Sequence, residues 1–242
     1  CFSSPFDETA VDFLKKFKPQ VYKVASFENN HVPLIKKIIK TNKPIIVSLG
    51  LTKLKDVKYL ISLFKKCKFK NFALLKCTSA YPAKLEESNL KTILDLKKRF
   101  NVEIGLSDHT PGIGAAIASV AYGATIIEKH FTLNKNAGGF DDIFSIEPHE
   151  LNSLVQESKR AWLSLGKVYY SYTKSEKRHS MFKRSIYTSK DIKKGELFSK
   201  NNVKIIRPNK GLHPKYYFEI LGKKSLKNIE YATPFKKKFV KI

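Results

Sequence analysis

The sequence of 242 residues has no long hydrophobic run, and it contains few cysteine, methionine and tryptophan residues. No apolar stretch reaches the roughly 20 residues of a membrane-spanning helix, and no signal peptide is visible. Cys1, Cys67 and Cys77 have neither the spacing of metal ligands nor the even number of a disulfide framework. We therefore expect reduced thiols and a cytoplasmic protein. Because the first residue is Cys1 and not Met, we also expect the native chain to start further upstream.

Acidic residues and arginine are scarce as well. The chain has 46 Lys and Arg against 21 Asp and Glu, and its formal net charge is +25. Arginine occurs only at positions 99, 160, 178, 184 and 207, and the lysines are spread along the whole chain. Nucleic-acid-binding proteins usually cluster their charge and use arginine for bidentate contacts. The pattern therefore disfavours nucleic acid as a partner and is more typical of lysines on solvated helix faces. The positive electrostatic field of these lysines would attract anionic substrates.

Short apolar runs alternate with lysine-rich amphipathic segments through the first part of the chain. The runs predict six strands, at 2–6, 21–27, 44–50, 72–78, 102–107 and 124–131. The segments between them, and a small-residue pattern beginning at Thr110, predict helices. Repeated β/α units indicate a parallel sheet covered by helices, and eight such units would close a TIM barrel. Six units therefore predict either an open sheet or two further units ahead of the first one.

The alternation of apolar runs and amphipathic segments ends after this region. A helix over 147–165, with Gly166 at its C-terminus, is predicted to close a first domain at 1–166. Residues 167–183 have no clear period and are interpreted as a linker. Residues 184–242 contain short β runs, turn signals and one short helix at 214–221, which predict a small β-rich second domain.

Two histidines follow neighbouring strands, at the carboxyl ends where parallel α/β folds bind ligands. Side chains two apart in a strand share a face, so Ser107 points the same way as His109, and Glu128 the same way as His130. Two converging imidazoles predict a site for one divalent metal ion. The alternative is that each histidine is an ordinary hydrogen-bonded structural residue.

Hydroxyl groups, lysines and one carboxylate recur at the other strand ends. They are Ser3, Ser4, Lys23, Ser26, Glu28, Lys76, Thr78, Ser79 and Tyr81. Together with helix N-termini, such groups suit a ligand with a phosphate and a carboxylate. Strict alternation places Lys23 and Ser26 on opposite faces, so either a kink separates them or the assumed register is wrong. In the Gly-containing loop at 137–142, Asp141 is a candidate for binding sugar hydroxyls.

Several motifs, in this order along essentially the whole chain, resemble the sialic acid synthase family. They are CFSSPF, YKVASFE, LLKCTSAYP, VEIGLSDH and IIEKHF, followed by KDIKKGE and RPNKGLHPKYY in the tail. The family consists of nonulosonate synthases, each with a TIM barrel followed by an antifreeze-like (SAF) domain. The resemblance implies a (β/α)8 barrel that lacks its first two β/α units, then a SAF domain. The LKCTS and GLHPKYY forms are most similar to the pseudaminic acid branch.

The resemblance implies a reaction in which phosphoenolpyruvate condenses with the open-chain aldehyde of an N-acetylated amino sugar. Carbon C3 of phosphoenolpyruvate attacks the aldehyde, water adds at C2, and the intermediate loses phosphate by C–O cleavage. The implied sugar is 2,4-diacetamido-2,4,6-trideoxy-altrose, which gives pseudaminic acid. Synthesis of N-acetylneuraminate or legionaminate is the alternative within the family.

The family's functional positions are carried over residue by residue. His109 and His130 match the ligands of a metal that is usually manganese. The positions that bind phosphoenolpyruvate fall on Ser4, Lys23, Ser26, Ser79 and Ser107. Those at the sugar fall on Glu28, Tyr81 and Asp141, and on Arg207, which the SAF domain of a domain-swapped homodimer would place on the partner's sugar. Glu28 and the two histidines are the expected catalytic residues.

The sequence also departs from the family pattern. An active-site Glu and Lys on the family's first two strands have no counterpart, and Leu49 stands where a small hydroxyl residue is expected. Ser4 replaces a frequent Thr, and Ser79 replaces an Asn found in some members. We therefore expect the 242-residue chain alone to be inactive. If this chain formed a keto acid from phosphoenolpyruvate and an acetamido sugar, the expectation would be contradicted.

Two readings from other classes stay open at this stage. The first is a non-catalytic β/α relative that only binds, which the missing strands favour and the intact histidine motifs oppose. The second is a lyase that uses Lys23 or Lys76 to form a Schiff base. Borohydride trapping separates the second reading from a metal mechanism, because only the lyase gives a covalent adduct.

Overall fold

The structure is a computed structural model that describes residues 1–241, and the chain divides into two compact units after Lys167. The first unit is a parallel five-stranded sheet in the order β1-β2-β3-β4-β5, so each strand pairs with the next one along the chain. The strands are β1 (Tyr22–Val24), β2 (Ile45–Ser48), β3 (Phe72–Cys77), β4 (Glu103–Asp108) and β5 (Ile127–Lys129). No helix within residues 1–241 is long and apolar enough to cross a membrane.

Helices alternate with the strands, as the sequence pattern predicts. They are α1 (Glu8–Lys15), α2 (Val32–Ile39), α3 (Leu54–Lys66), α4 (Lys91–Phe100), α5 (Gly114–Ala121) and α6 (Pro148–Leu165). Each of α1 to α4 turns its apolar side to the sheet and its lysines to solvent, as in α3, where Leu60, Ile61 and Phe64 are buried. Gly166 ends α6 with a φ of 50°, as predicted from its position.

The main core lies between the sheet and these helices. Val24, Val47, Leu74 and Ile104 come from four successive strands and are fully buried in it. Each such side chain contributes about 1.5–3 kcal/mol by leaving water. Because successive strand residues point to opposite faces, the residues between these positions lie on the other face of the sheet, which we call the inner face.

Four sequence-based boundaries are wrong. The strand predicted over 21–27 ends at Val24, because Ser26–Glu28 forms a 3-10 turn. Residues 2–6 form no strand, because the segment joins β1 through the bond from Lys23 N to Ser3 O (3.3 Å), and one bond does not make a ladder. The helix predicted from Thr110 begins at Gly114, because Gly112 adopts a φ of 73° and breaks helical geometry. The strand predicted over 124–131 is only three residues long, Ile127–Lys129.

The second unit is small and rich in β structure. Strands β6 (Ser185–Thr188) and β7 (Val203–Ile206) pair antiparallel, and three isolated bridges within the unit extend the β structure. Ile186, Phe198, Val203 and Phe235 are buried in its core. The helix predicted at 214–221 is a short 3-10 turn at Pro214–Tyr216 followed by α8 (Tyr217–Ile220). Within the predicted linker, α7 (Lys174–Lys177) and a 3-10 turn at Ser180–Phe182 are present.

Candidate active site

Two histidines meet at the carboxyl ends of β4 and β5. The ladder between these strands ends at the pair Asp108↔Lys129, so His109 and His130 are the first residues beyond it. Their ring centroids lie 5.2 Å apart with an angle of 70° between the ring planes. The structure therefore brings the two imidazoles together, as the strand period predicts.

Each histidine is held through its Nδ1 atom. Nδ1 of His109 lies 2.8 Å from the carbonyl oxygen of Thr78, and Nδ1 of His130 lies 3.2 Å from Asp141 Oδ2. A carbonyl oxygen can only accept, so Nδ1 of His109 carries the proton and its Nε2 has the free lone pair. A histidine fixed in this way by an oxygen acceptor is the usual arrangement around a metal ligand.

The protonation of the pair follows from its surroundings. Burial and the neighbouring His109 lower the pKa of His130, which keeps His130 neutral at neutral pH. Burial lowers the pKa of His109 as well, but hydrogen bonds to Cys77 and to the Thr78 carbonyl raise it more, so the net shift is upward. A neutral imidazole is the form that binds metal, and His130 fits this requirement directly.

A buried lysine lies on the inner face of the same sheet. Nζ of Lys23 donates to Ser48 Oγ (2.8 Å) and lies 3.3 Å from Glu128 Oε1. Ser107 Oγ donates to the same Glu128 oxygen at 2.7 Å. The Lys23 side chain is 8% exposed and that of Glu128 is 37% exposed, so the lysine is buried and the glutamate is only partly buried. These contacts place one cation, one anion and two hydroxyl groups beside the histidines.

Glu128 and Ser48 were not among the predicted site residues. The signal for Glu128 was in the sequence, since it shares a strand face with His130. Its contact with Lys23 depends on how β1 and β5 face each other across the sheet, which the sequence alone does not give. Ser48 ends β2, and no pattern in the sequence indicated its contact with Lys23.

A cluster of hydroxyl groups surrounds the thiol of Cys77. Ser26 Oγ donates to Cys77 Sγ at 3.3 Å, and Ser79 Oγ lies 3.7 Å from the same sulfur. Burial raises the pKa of Cys77, but hydrogen bonds with His109, Ser26 and Ser79 outweigh it and bring the pKa to about 7. Ser26 lies in a 3-10 turn that follows β1, so the kink between Lys23 and Ser26 exists and both reach the inner face.

Gly50 lets these serines come together. Its backbone N–H donates to Ser26 Oγ at 3.1 Å, and a methyl group at this position would overlap with Ser79 Oγ and lie 2.6 Å from Ser26 Oγ. A glycine is therefore needed here for space. The Leu49 side chain next to it is buried in the main core and does not enter this cluster.

We expect Gly50→Ala to displace both serines and to lower the free energy of unfolding by about 1–3 kcal/mol, as overpacking usually does. Chemical denaturation measures this change. Gly114→Ala is the matched control, because a methyl group there meets nothing within 4 Å and alanine favours a helix. Equal stability of the Gly50→Ala variant and the wild type would contradict the packing argument.

Two aromatic rings border the histidines. The Tyr81 ring lies 4.3 Å from that of His109, and the buried Phe144 ring lies 5.0 Å from that of His130. Burial of its ring raises the pKa of Tyr81, so the phenol stays neutral near pH 7. Phe144 follows the glycine loop by only a few residues, and no pattern in the sequence indicated its position. The two rings form an apolar wall at one side of the pair.

The other predicted residues lie in different surroundings. Glu28 ends the 3-10 turn after β1, and its Oε2 is buried without a hydrogen-bond partner in the structure. Asp141 contacts His130, so its carboxylate is already engaged at the metal ligand. Ser4 is half-buried next to Ser3, whose carbonyl binds Lys23 N. Arg207 is exposed and follows β7 in the second unit.

Lys76 does not belong to this site. It lies on the sheet face that packs against the helices, where it lines a cavity with Val57 of α3 and Leu96 of α4. Its Nζ donates to Cys77 O (3.0 Å) and to Thr78 Oγ1 (2.9 Å), and burial lowers its pKa. This placement removes Lys76 from the candidates for a Schiff base with a ligand on the inner face.

A separate acidic group lies at the start of α6. Within residues 1–241, Glu147, His149 and Glu150 are the one group of three metal-type ligands close enough to share an ion. Their carboxylates are already used, because Glu147 and Glu150 form the capping box of α6 and Glu150 also binds Lys135 Nζ. Such a cluster is common at helix N-termini without an ion. At the histidine pair, a metal would have two protein nitrogens, leaving its other positions to water and substrate.

Comparison with known proteins places this chain in a known family. Residues 1–170 match the NeuB family, and residues 183–241 match the SAF domain. The chain is 46% identical over 236 residues to the pseudaminic acid synthase of Campylobacter jejuni subsp. jejuni. The aligned region covers 98% of this chain and 69% of that protein. It is 41% identical to the N,N'-diacetyllegionaminic acid synthase of the same subspecies, over 93% of this chain and 69% of that protein.

Solved structures agree with the sequence comparison. The spore coat polysaccharide biosynthesis protein spsE of Bacillus subtilis is 32% identical with a TM-score of 0.65, over all of this chain and 73% of that one. A parallel β/α sheet in a segment that matches NeuB, followed by a SAF domain, is the domain arrangement of the sialic acid synthases. The chain belongs to the NeuB family, that of the sialic acid synthases.

Proposed function

We propose that the protein is a nonulosonic acid synthase that condenses phosphoenolpyruvate with an N-acetylated amino sugar and releases phosphate. The observation that carries this proposal is the His109–His130 pair beside the buried Lys23, on the inner face of a NeuB-family sheet. The amino sugar is 2,4-diacetamido-2,4,6-trideoxy-altrose and the product pseudaminic acid. The 46% identity to a pseudaminic acid synthase supports this choice over the 41% to a legionaminic acid synthase.

The residues on the inner face suit the binding of phosphoenolpyruvate. Lys23 supplies a buried positive charge, and Ser26, Ser79 and Ser107 supply hydroxyl donors around the same space. Charge-assisted hydrogen bonds of this kind are the strong ones for phosphate and carboxylate oxygens. Ser4, next to the segment that pairs with Lys23, is the remaining member of this binding set.

The sugar is proposed to lie on the histidine side of the site. Tyr81 gives an apolar surface next to both imidazoles. The carboxylates proposed for hydroxyl or amide groups are Glu28, whose Oε2 is buried without a partner, and Asp141, whose Oδ2 also contacts His130. Carbon C3 of phosphoenolpyruvate then forms the new bond to the aldehyde carbon, whose oxygen takes up a proton, while water adds at C2 and gives up a proton. The C2–O bond to phosphate breaks as the remaining C2 hydroxyl loses its proton and becomes the ketone. Glu128, which binds both Ser107 and Lys23, is placed to accept a proton from that water.

His109 and His130 fit a divalent metal, because their Nδ1 atoms are both engaged and burial favours a neutral His130. Such an ion, proposed to be Mn²⁺, would polarise the aldehyde oxygen as a Lewis acid. The chain's own contribution is to fix the two rings through Thr78 and Asp141. The Glu147 cluster is not needed for this role.

Further features are proposed from the family architecture. We take the barrel part as 1–166, the linker as 167–183 and the SAF domain as 184–242. The working form is a domain-swapped homodimer in the cytoplasm, in which Arg207 contacts the sugar bound by the partner subunit. Arg207→Ala would then raise the KM for the sugar without changing the KM for phosphoenolpyruvate.

The test is an assay of the full-length gene product for phosphate release and keto-acid formation. Phosphoenolpyruvate is supplied with the diacetamido-trideoxyhexose in one reaction and with N-acetylmannosamine in another, with and without Mn²⁺. We expect Mn²⁺-dependent product from the diacetamido sugar and at most weak product from N-acetylmannosamine. If phosphate were released without a sugar and without a metal ion, the proposal would be contradicted. If no acetamido sugar gave a product, the result would favour a non-catalytic relative.

A further inference from the structure

A buried ion pair lies directly behind the two histidines. Lys129 Nζ is 2.9 Å from Asp108 Oδ2, and both side chains are only 2% exposed. Lys129 Nζ also donates to the carbonyl oxygen of Thr110, and Asp108 Oδ1 accepts from Thr110 N at 3.0 Å. The pair therefore holds the backbone on both sides of His109.

Each member of this ion pair directly precedes one of the two histidines in the sequence. Asp108 precedes His109 and Lys129 precedes His130, and Asp108↔Lys129 is the last register pair of the β4–β5 ladder. Alternation turns these two side chains to the helix side of the sheet and the histidines to the inner face. β5 is only three residues long, and beyond it the backbone of His130 is bonded to Ile146, whose N–H donates to His130 O at 2.9 Å, and not to β4. The Asp108–Lys129 pair is therefore the link between the ends of β4 and β5.

We infer that the Asp108–Lys129 ion pair is a positioning device that sets the spacing and orientation of His109 and His130 and so determines the affinity of their metal site. This inference rests on the proposed metal site. Asp108 and Lys129 are positioning residues, since neither reaches the ligand side of the sheet. They act through the backbone of the next residue, by clamping Asp108, Thr110 and Lys129 together.

Stability alone is a weak explanation for such a pair. Two charges lose their hydration when they are buried, and replacing a buried pair by apolar residues of similar shape is often neutral or stabilising. Removing only one partner is costly, because it leaves an uncompensated charge. A neutral double variant therefore separates positioning from stability: it leaves no buried charge unpaired, keeps an acceptor for Thr110 N and loses the bonds from Lys129 that link the ends of β4 and β5.

The experiment compares Mn²⁺ binding by wild type, Lys129→Met and the double variant Asp108→Asn/Lys129→Met. Free Mn²⁺ is counted by its electron paramagnetic resonance signal during a titration of the metal-free chain. Absorption spectra of the Co²⁺-loaded proteins report ligand geometry, and thermal unfolding confirms that each variant is folded. Lys37→Met is the control, because it breaks an ion pair with Asp12 of α1 at 2.7 Å, away from the histidines.

We expect both Lys129 variants to bind Mn²⁺ about 10-fold to 100-fold more weakly and to change the Co²⁺ spectrum, as the loss of supporting groups around metal ligands does. Lys37→Met should bind like wild type. If Lys129→Met fails to fold, the double variant decides. Wild-type affinity in a folded double variant would overturn the inference and leave the metal site intact, whereas absence of a Mn²⁺ site in the wild type would overturn both.

Discussion

Replacing His130 with alanine is expected to weaken Mn²⁺ binding by at least about 100-fold and to reduce phosphate release by the full-length gene product to background. The loss of a ligand should exceed the 10-fold to 100-fold loss that follows removal of a supporting group. His130 is one of the two imidazoles 5.2 Å apart, and the pair would provide the metal's protein ligands. Isothermal titration with Mn²⁺ measures the binding, and a coupled phosphate assay measures turnover.

The matched control is His149→Ala. His149 belongs to the Glu147 cluster at the start of α6, and its side chain is 75% exposed. We expect this variant to keep wild-type affinity and turnover. The opposite result, in which His149→Ala loses Mn²⁺ and His130→Ala retains it, would move the metal site to the helix N-terminus.

The second large effect is expected from Lys23→Met. The substitution keeps the length of the side chain and removes the buried charge that we assign to phosphoenolpyruvate, so the affinity for phosphoenolpyruvate should fall by about 100-fold, or about 2.7 kcal/mol. It also leaves Glu128 without its cation, so a lower free energy of unfolding is expected alongside. Fluorescence or calorimetric titration with phosphoenolpyruvate measures the first change, and denaturation the second.

Lys76→Met is the control for this prediction, because Lys76 lies on the helix side of the sheet and should not affect the affinity for phosphoenolpyruvate. Borohydride treatment with both substrates present adds a chemical test. We expect no covalent adduct on either lysine. An adduct on Lys23 would support the lyase, and equal affinity of Lys23→Met and wild type would remove Lys23 from the binding site.

Much of the fold could be predicted because the sequence alternates two periods. Apolar runs such as 44–50 and 72–78 became β2 and β3, and the lysine-rich segments between them became helices with buried apolar faces. The meeting of His109 and His130 followed from period-two alternation at two strand ends. The prediction that two β/α units precede Cys1 stays a prediction.

The rest depended on contacts between residues that are distant in the chain. The Lys23–Glu128 contact joins β1 to β5, and no local pattern connects positions 23 and 128. Segment 2–6 has the composition of a strand but only a single bond to β1, and composition does not count hydrogen bonds. Phe144 reaches His130 from a loop, where neither period applies.

The central claim is that His109 and His130 hold one metal ion beside an anion pocket that contains Lys23. A crystal structure of the protein grown with Mn²⁺ and phosphoenolpyruvate, measured near the manganese absorption edge, tests this most directly. We predict one strong anomalous peak within coordination distance of Nε2 of both histidines, with the phosphate or carboxylate of phosphoenolpyruvate against Lys23 Nζ. An anomalous peak at Glu147 and Glu150 with none at the histidines would contradict the account.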